Sequence, residues 1–476
     1  MQAFGVDAIF GRALAALQAG QPQEAALTLQ DALSDAVHNR GYGELQQLAQ
    51  MAAGLLPGDA WLGCAGLYAA ALADHAQPAA LLAQARAWLE STRASFVESA
   101  QVTNEPVRAE PVEAFRQAQG ERVYRFNKSC NTKPKLAYLV SQPHHHQLLS
   151  AVIAAHDTSA VEVHVFADQA WPGLPGHVKR HALNAANLAA TCQANQIDVV
   201  VDTGGLQPFA GQYAVIEQLL RRIAPVQVGW LGCLASSGGV FDVLLADDVS
   251  VPPGAEAHFS EQVVRLAGGQ WCWTPPSSAP AVTAAPCLTR GHVTVGVVGR
   301  SLRLGPQFLS TLTQVMAGEP TLRVCFIGKV CGDEAQRANI VAMLAARGVT
   351  TDRLSFAPWD TREGYWHWLA TVDVVLDTCP ASGGLSLLDA LWMGVPVVTC
   401  VGATMGSRQA ASVLTAMGIG QWIAKNSTDL TRLTLALLQC KSELHASRLA
   451  MRGRFQQSPL LSGQRIALQI EAMVRT

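Results

Sequence analysis

The stretch CPASGGLSLLDALWMGVPVVT, residues 379–399, places two adjacent glycines before a helix-like run and then a strand-like run. The residues just before it, VDVVLDT at 372–378, read as a buried strand. Strand, Gly-Gly turn, helix and strand in that order make one αβ unit. Gly383 and Gly384 open the helix, Ser386 follows, and Asp389 is a lone acid about one turn on. Amides at a helix N-terminus lack partners and carry partial positive charge. Glycine there lets a phosphate approach closely, and a serine hydroxyl adds a donor. An acid one turn on is placed to accept from ribose hydroxyls. Two readings stand on these residues alone: a nucleotide diphosphate docks here, or the glycines are ordinary αβ turn chemistry.

Working outward, the αβ pattern repeats twice. From Lys135, KLAYLVS, VEVHVFAD, IDVVVDTGG, VQVGWLG and FDVLLAD read as strands, with helices HQLLSAVIAAH and HALNAANLAATCQANQ among them. A proline-rich linker, WTPPSSAPAVTAAPC at 273–287, follows. A second run then offers HVTVGVVG, LRVCFIG, LSFAPW, VDVVLDT and PVVTC as strands, with SPLLSGQRIALQIEAMVRT as a C-terminal helix. Strands alternating with helices argue for parallel, doubly wound sheets, in which ligands bind at the carboxyl ends of the strands. The expected ligand site is the cleft between two Rossmann-like lobes.

Residues 1–98 look all-helical. ALAALQAGQPQEAALTLQDAL reads as helix, turn at Gly20-Gln21-Pro22, helix, with apolar residues at helical spacing on both sides. It resembles one tetratricopeptide-like hairpin; a looser pair follows from Asp59 to Leu89. Two or three hairpins are too few for a long solenoid, so a capping or docking layer is the expected role. Residues 99–130 are polar and near-repetitive, with EPVRA followed by EPVEA, and read as a linker or insertion dispensable for folding. The expected domains are therefore 1–98, the linker 99–130, a first lobe at 131–287 and a second at 288–476.

The chain has 476 residues, 49 % hydrophobic and 15 % charged, enough to bury a large core across two to four domains. Its net charge of −2 argues against bulk attraction to nucleic acid or anionic membrane. No apolar run approaches the roughly 18 residues of a membrane span. The first twenty residues carry an Asp and an Arg within their apolar part and read as a helix, not a signal peptide. Eleven scattered cysteines, with no C-x-x-C and no zinc-ligand spacing, suit free thiols in a reducing compartment, so the cytoplasm is the expected location.

Several separated blocks resemble, in order, the protein O-linked N-acetylglucosamine transferases over about residues 134–475. They are RRIAPVQVGWLGCLASSGG, FDVLLADDVSVPPGAEAHFSEQVVRL, CPASGGLSLLDALWMGVPVVTCVGATMGSRQAASVL, GIGQWIAKN and SPLLSGQRIALQIEAM. The resemblance implies a GT-B fold, α/β with two Rossmann-like lobes, preceded here by the small helical domain. It implies inverting sugar transfer from a UDP-sugar without a metal, the phosphate charge being met by a helix N-terminus and a basic side chain.

The resemblance also assigns residues. Gly383, Gly384, Leu385 and Ser386 fall at the diphosphate and Asp389 at the ribose. The family's His-Thr-Thr is Gly384-Leu385-Ser386 here, so one hydroxyl donor is missing. Arg303, in VVGRSLRLGPQFL, takes the place of a lysine that assists the leaving group, with Arg300 at a neighbouring nucleotide position. Arginine keeps the charge but changes the geometry; a solvated loop cation is the bland alternative. Tyr365 aligns near a uracil-stacking position, with Arg362 beside it, although the aromatic cluster there also reads as packing. The family's His-x-x-x-His corresponds to SQPHHHQLL, leaving the register open among His144, His145 and His146, one of which would face the acceptor or act as a base. Two proposed acid–base positions fall on Ala190 and Gln193.

The expected function is transfer of N-acetylglucosamine or another hexose from a UDP-sugar to a protein side chain. The replaced lysine and lost acid–base positions keep a second reading open, a catalytically degenerate sugar-nucleotide-binding or scaffold protein. A GT-B enzyme acting on a small molecule or glycan is the third.

Overall fold

A computed structural model describes residues 6–39, 42–56, 58–103, 133–208 and 212–475. Most of the expected linker, from 104 on, lies outside the described residues. By backbone packing the chain falls into two compact units. One holds residues 52–68, 78–274 and 461–476; the other holds 1–51, 69–77 and 275–460. The chain passes between them at Met51–Ala52, Tyr68–Ala69 and Gln77–Pro78, at Thr274–Pro275 inside the proline-rich stretch, and at Leu460–Leu461.

The first unit is built on a seven-stranded sheet, all parallel, in the order β3-β2-β1-β4-β5-β6-β7. Its strands are β1 Lys135–Val140, β2 Glu162–Ala167, β3 Lys179–Ala182, β4 Val199–Asp202, β5 Val226–Gly229, β6 Val243–Ala246 and β7 Gln262–Arg265. Every residue of β4, β5 and β6 is buried, as expected of central parallel strands covered on both faces. The C-terminal helix Gly463–Arg475 packs on the helix His146–Ala154, burying Ile466, Ala467, Ile470 and Val474. A Cβ at Gly463 would stand 2.1 Å from the Ala151 carbonyl oxygen, so glycine permits the close crossing. Within the same unit, helix α5 Pro78–Thr103 lies against Gly238, whose φ is +74° and whose added Cβ would meet the Ala85 backbone at 2.5 Å.

The second unit carries a six-stranded parallel sheet in the order β10-β9-β8-β11-β12-β13. These strands are β8 Thr294–Val298, β9 Arg323–Ile327, β10 Leu354–Ala357, β11 Val374–Leu376, β12 Val397–Cys400 and β13 Ile423–Ala424. The front hairpin belongs to this unit. Helix α1 Val6–Gln18 pairs with α2 Pro22–Asn39 across a turn in which Gly20 takes φ +73°. Ala25, Leu29, Leu33 and Ala36, at spacings of four and three, are fully buried on α2. Asp74 ties the front to the sheet: its Oδ2 accepts from the Gln307 amide (2.8 Å) in the first turn of the helix Pro306–Gly318.

The strand pattern departs from the sequence reading at three edges. His181 and Ala182 are the end of β3, not the start of a helix; that helix begins at Ala185, where Asn184 accepts from the Ala186 amide. KRHA has no apolar run to mark it as a strand. β7 and the two-residue β13 are also additions. No helix among the described residues is long and apolar enough to cross a membrane.

Candidate functional site

In each sheet the strand order reverses direction at a central strand, β1 in the first and β8 in the second. Loops leaving the carboxyl ends of strands that flank such a switch point form the usual ligand crevice of open α/β sheets. In the second unit the two loops are 299–305, after β8, and 377–384, after β11. They carry Arg300, Arg303, Gly383 and Gly384.

Asp377, just past β11 and 2 % exposed, organises its loop. Its Oδ1 accepts from the Gly383 amide (2.8 Å), and its Oδ2 accepts from Ser382 Oγ (2.8 Å) and Thr399 Oγ1 (2.7 Å). Burial raises its carboxyl pKa, against the opposing pull of these donors and of the Arg303 charge. Ser382 Oγ in turn accepts from the Ala410 amide (2.9 Å). The Gly383 N–H is therefore engaged internally, and a Cβ at 383 would stand 3.0 Å from Asp377 Oδ1. The half-buried rim is Gly384, Leu385 and Ser386, the start of the helix Leu385–Trp392. No side chain caps that helix start, and Gly384 sits at φ −129°, ψ −103°. The glycine pair thus serves two purposes, close approach of Asp377 at 383 and the helix entry at 384.

Arg303 ends the short 3₁₀ turn Ser301–Arg303. It is half-buried, and its Nη1 donates to the Ser382 carbonyl (2.8 Å). Its Nε is buried and makes no hydrogen bond within the described residues. A guanidinium held by one corner beside an uncapped helix start is suited to an anion. Arg300 stands at the extended residue preceding the turn, and it lines a small pocket with Gly299, Ser301, Leu304 and Thr378. Arg303 and the Gly383–Ser386 segment are brought together through Ser382.

Arg362, Tyr365 and Asp389 form a second cluster. Asp389 is 4 % exposed and accepts from Arg362 Nη2 (2.9 Å) and from Trp366 Nε1 (3.1 Å). Burial raises its pKa, and Arg362 and Trp366 oppose the rise. The Arg362 guanidinium lies 5.6 Å from the Trp366 ring centroid. Tyr365 is 3 % exposed; its ring tilts against Trp359 at 5.1 Å and its hydroxyl donates to the Ser386 carbonyl (2.8 Å). The tyrosine expected to stack on a base is here a packed residue that pins the helix start.

The histidines belong to the other sheet's switch point. His144 is exposed, with its ring edge-on to His145 at 4.6 Å. His145 is buried, and its Nδ1 pairs with Thr203 Oγ1 (3.1 Å) just past β4. Burial, reinforced by its two histidine neighbours, pushes its pKa down to about 3. His146 opens the helix His146–Ala154 and stacks on Trp171 at 4.0 Å. Burial lowers its pKa while Asp168 opposes. Ala190 and Gln193 are exposed on the helix Ala185–Asn195.

Sequence reasoning missed three polar residues here: Asp202, Thr203 and Gln212. Asp202, at the end of β4, accepts from the Gly205 amide (2.7 Å) and from Gln212 Nε2 (3.2 Å), and burial pushes its pKa up to about 6. An acid closing a run of valines in IDVVVDTGG was the available signal, the same signal that Asp377 gives in VDVVLDT.

The family model for glycosyl transferase family 41 matches residues 305–470. The probable UDP-N-acetylglucosamine–peptide N-acetylglucosaminyltransferase SPINDLY of Petunia hybrida is 28 % identical over 261 residues, covering 54 % of this chain and 28 % of that protein. Its Arabidopsis thaliana counterpart is 26 % identical over 301 residues, covering 62 % and 32 %. The chain thus spans about a third of the length of the curated relatives it matches. An O-GlcNAc transferase mutant from Thermobaculum terrenum superposes with TM-score 0.67 at 22 % identity, covering 99 % of this chain and 97 % of that one. The match to the family model over residues 305–470 agrees with the resemblance, and the chain shares the GT-B fold of a bacterial O-GlcNAc transferase.

Proposed function

We propose that the protein is an inverting, metal-independent glycosyltransferase that moves N-acetylglucosamine or another hexose from a UDP-sugar to a protein side chain in the cytoplasm. The observation that carries this reading is Arg303. It is a half-buried cation anchored by Nη1 to the Ser382 carbonyl beside the uncapped start of the helix Leu385–Trp392. Charge that develops on the departing diphosphate would meet the guanidinium and the first-turn amides of Gly384, Leu385 and Ser386. Donors fixed before the reaction need no reorganisation when the charge appears. The family match and the peptide glycosyltransferase names of the relatives support the same reaction class.

The test is incubation with a panel of UDP-sugars and a peptide or host lysate, read by intact mass. A sugar-sized increment on protein supports the reading. UDP binding without turnover would favour the degenerate binding protein, and an increment on saccharide acceptors alone would favour a glycan-directed enzyme. The arrangement that favours the degenerate reading is the Asp389–Arg362 pair, which engages the expected ribose acceptor with an internal cation.

A further inference from the structure

We infer that Asp377 is the positioning residue of the donor site, setting the Arg303 guanidinium and the turn into the helix Leu385–Trp392 as one unit. The inference rests on the proposed UDP-sugar reading and names a buried residue whose oxygens are engaged by the protein itself.

The argument begins with what Asp377 holds. Its two oxygens take three donors from three places: the Gly383 amide, the Ser382 hydroxyl, and Thr399 Oγ1 on the neighbouring strand β12. The carboxyl is almost fully buried, which raises its pKa, while those donors and the Arg303 charge favour its ionised form. A buried carboxylate beside a diphosphate site repels the ligand, and a neutral side chain of the same shape would avoid that repulsion. What the charge supplies is orientation. Ser382 connects the two parts: its hydroxyl donates to Asp377, while its carbonyl accepts from Arg303 Nη1 (2.8 Å). Fixing Ser382 fixes the carbonyl that anchors the guanidinium, and the attraction between Asp377 and Arg303 acts in the same direction. The adjacent Gly383 amide is bound to Oδ1, which sets the chain direction into Gly384 and the helix start.

This differs from a purely structural role in one measurable way. If Asp377 acts through Arg303, their effects on UDP binding are coupled; if it only holds the fold, they add. A double-mutant cycle separates the two. The variants are Asp377→Asn, which keeps the shape and removes the charge, Arg303→Ala, and the pair. UDP affinity is measured by calorimetry on the full chain, with thermal unfolding as the check on folding. Asp377→Asn should weaken UDP by about tenfold in the wild-type background and by less than about threefold when Arg303 is already alanine, within the range of coupling between residues in one network. Equal losses in both backgrounds, or unchanged affinity in Asp377→Asn, would overturn the inference while leaving the function standing. Absence of UDP binding by the wild-type chain would sink both. If Asp377→Asn does not fold, Ser382→Ala completes the cycle, because it removes the hydroxyl link and leaves the carboxylate. Additivity of Ser382→Ala with Arg303→Ala would then reject the coupling.

Discussion

At the scale of single residues, type and position were legible but assignments of individual atoms were not. Gly383 stands out in the sequence, yet its N–H is bound to Asp377, a residue read only as the end of a strand. A buried acid at a strand end gives no periodicity signal, and its partners at 382, 383 and 399 converge only after folding. The three adjacent histidines show the same limit: sequence left them equivalent, whereas burial separates them. His145, with its pKa near 3, stays neutral wherever the protein functions, so it can accept a hydrogen bond or orient Thr203 but cannot act as an imidazolium donor. Imidazole NMR should show His145 unprotonated from pH 8 down to 5; a titration midpoint above 5.5 would contradict the burial argument. For Arg303, leaving-group charge makes a cation matter more to rate than to ground-state binding. Arg303→Ala should lower turnover by about a hundredfold, the scale of losing one such donor. UDP affinity should fall less, and Arg303→Lys should retain activity. Unchanged turnover in Arg303→Ala, with loss in Arg300→Ala, would move the assignment to Arg300.

At the scale of elements, long apolar runs were read correctly because central parallel strands are buried on both faces. Edge strands such as β3 were not, since half of their surroundings are solvent. The C-terminal helix was legible, but its anchor was not. Glu471 accepts from the Asp157 amide (2.9 Å) and pairs with His156 Nδ1 (2.8 Å), while His156 Nε2 meets Tyr138 Oη (2.8 Å), a chain that ties the C-terminal helix to residues more than 300 positions earlier in sequence. Burial lowers the His156 pKa, with His177 adding to the effect and Glu471 opposing it. The unfolded histidine therefore takes up its proton at a higher pH than the folded one. Stability from this group is fully present above the ordinary histidine pKa of about 6.5 and declines as pH falls from there towards the lowered folded value. Urea unfolding of the wild type should lose stability between pH 7 and 5, and His156→Gln should remove part of that slope. An identical slope in the variant would show that other groups carry it. Tyr365→Phe should cost about 1 kcal/mol by the same method, the usual net worth of one hydrogen bond, here the one to the Ser386 carbonyl.

At the scale of the whole molecule, the helical front is shared between the two compact units. Among the described residues, 6–39, 42–51 and 69–77 group with the unit of the second sheet, and 52–56, 58–68 and 78–103 with that of the first. Helix α2 touches the turn Ser301–Arg303, and Asp74 caps the helix that follows it. The front therefore supports the loop that presents Arg303. Its apolar faces read in the sequence as a hairpin with a docking or capping role, but the surface they cover could not be named from helical periodicity alone. Removing residues 1–98 should then harm the second unit as well as the first. The deletion removes the contact of α2 with the turn Ser301–Arg303 and the Asp74 cap. A lost helix cap alone costs about 1 kcal/mol, a sizeable fraction of the 5–15 kcal/mol of a typical domain. The truncated chain is expected to melt well below the full chain and to bind UDP weakly even where it remains folded, because the Arg303 turn has lost its support. Thermal unfolding with calorimetric UDP titration checks both parts. A truncated chain that melts cooperatively at the wild-type temperature and binds UDP unchanged would show that the front is a separate appendage to the two αβ units.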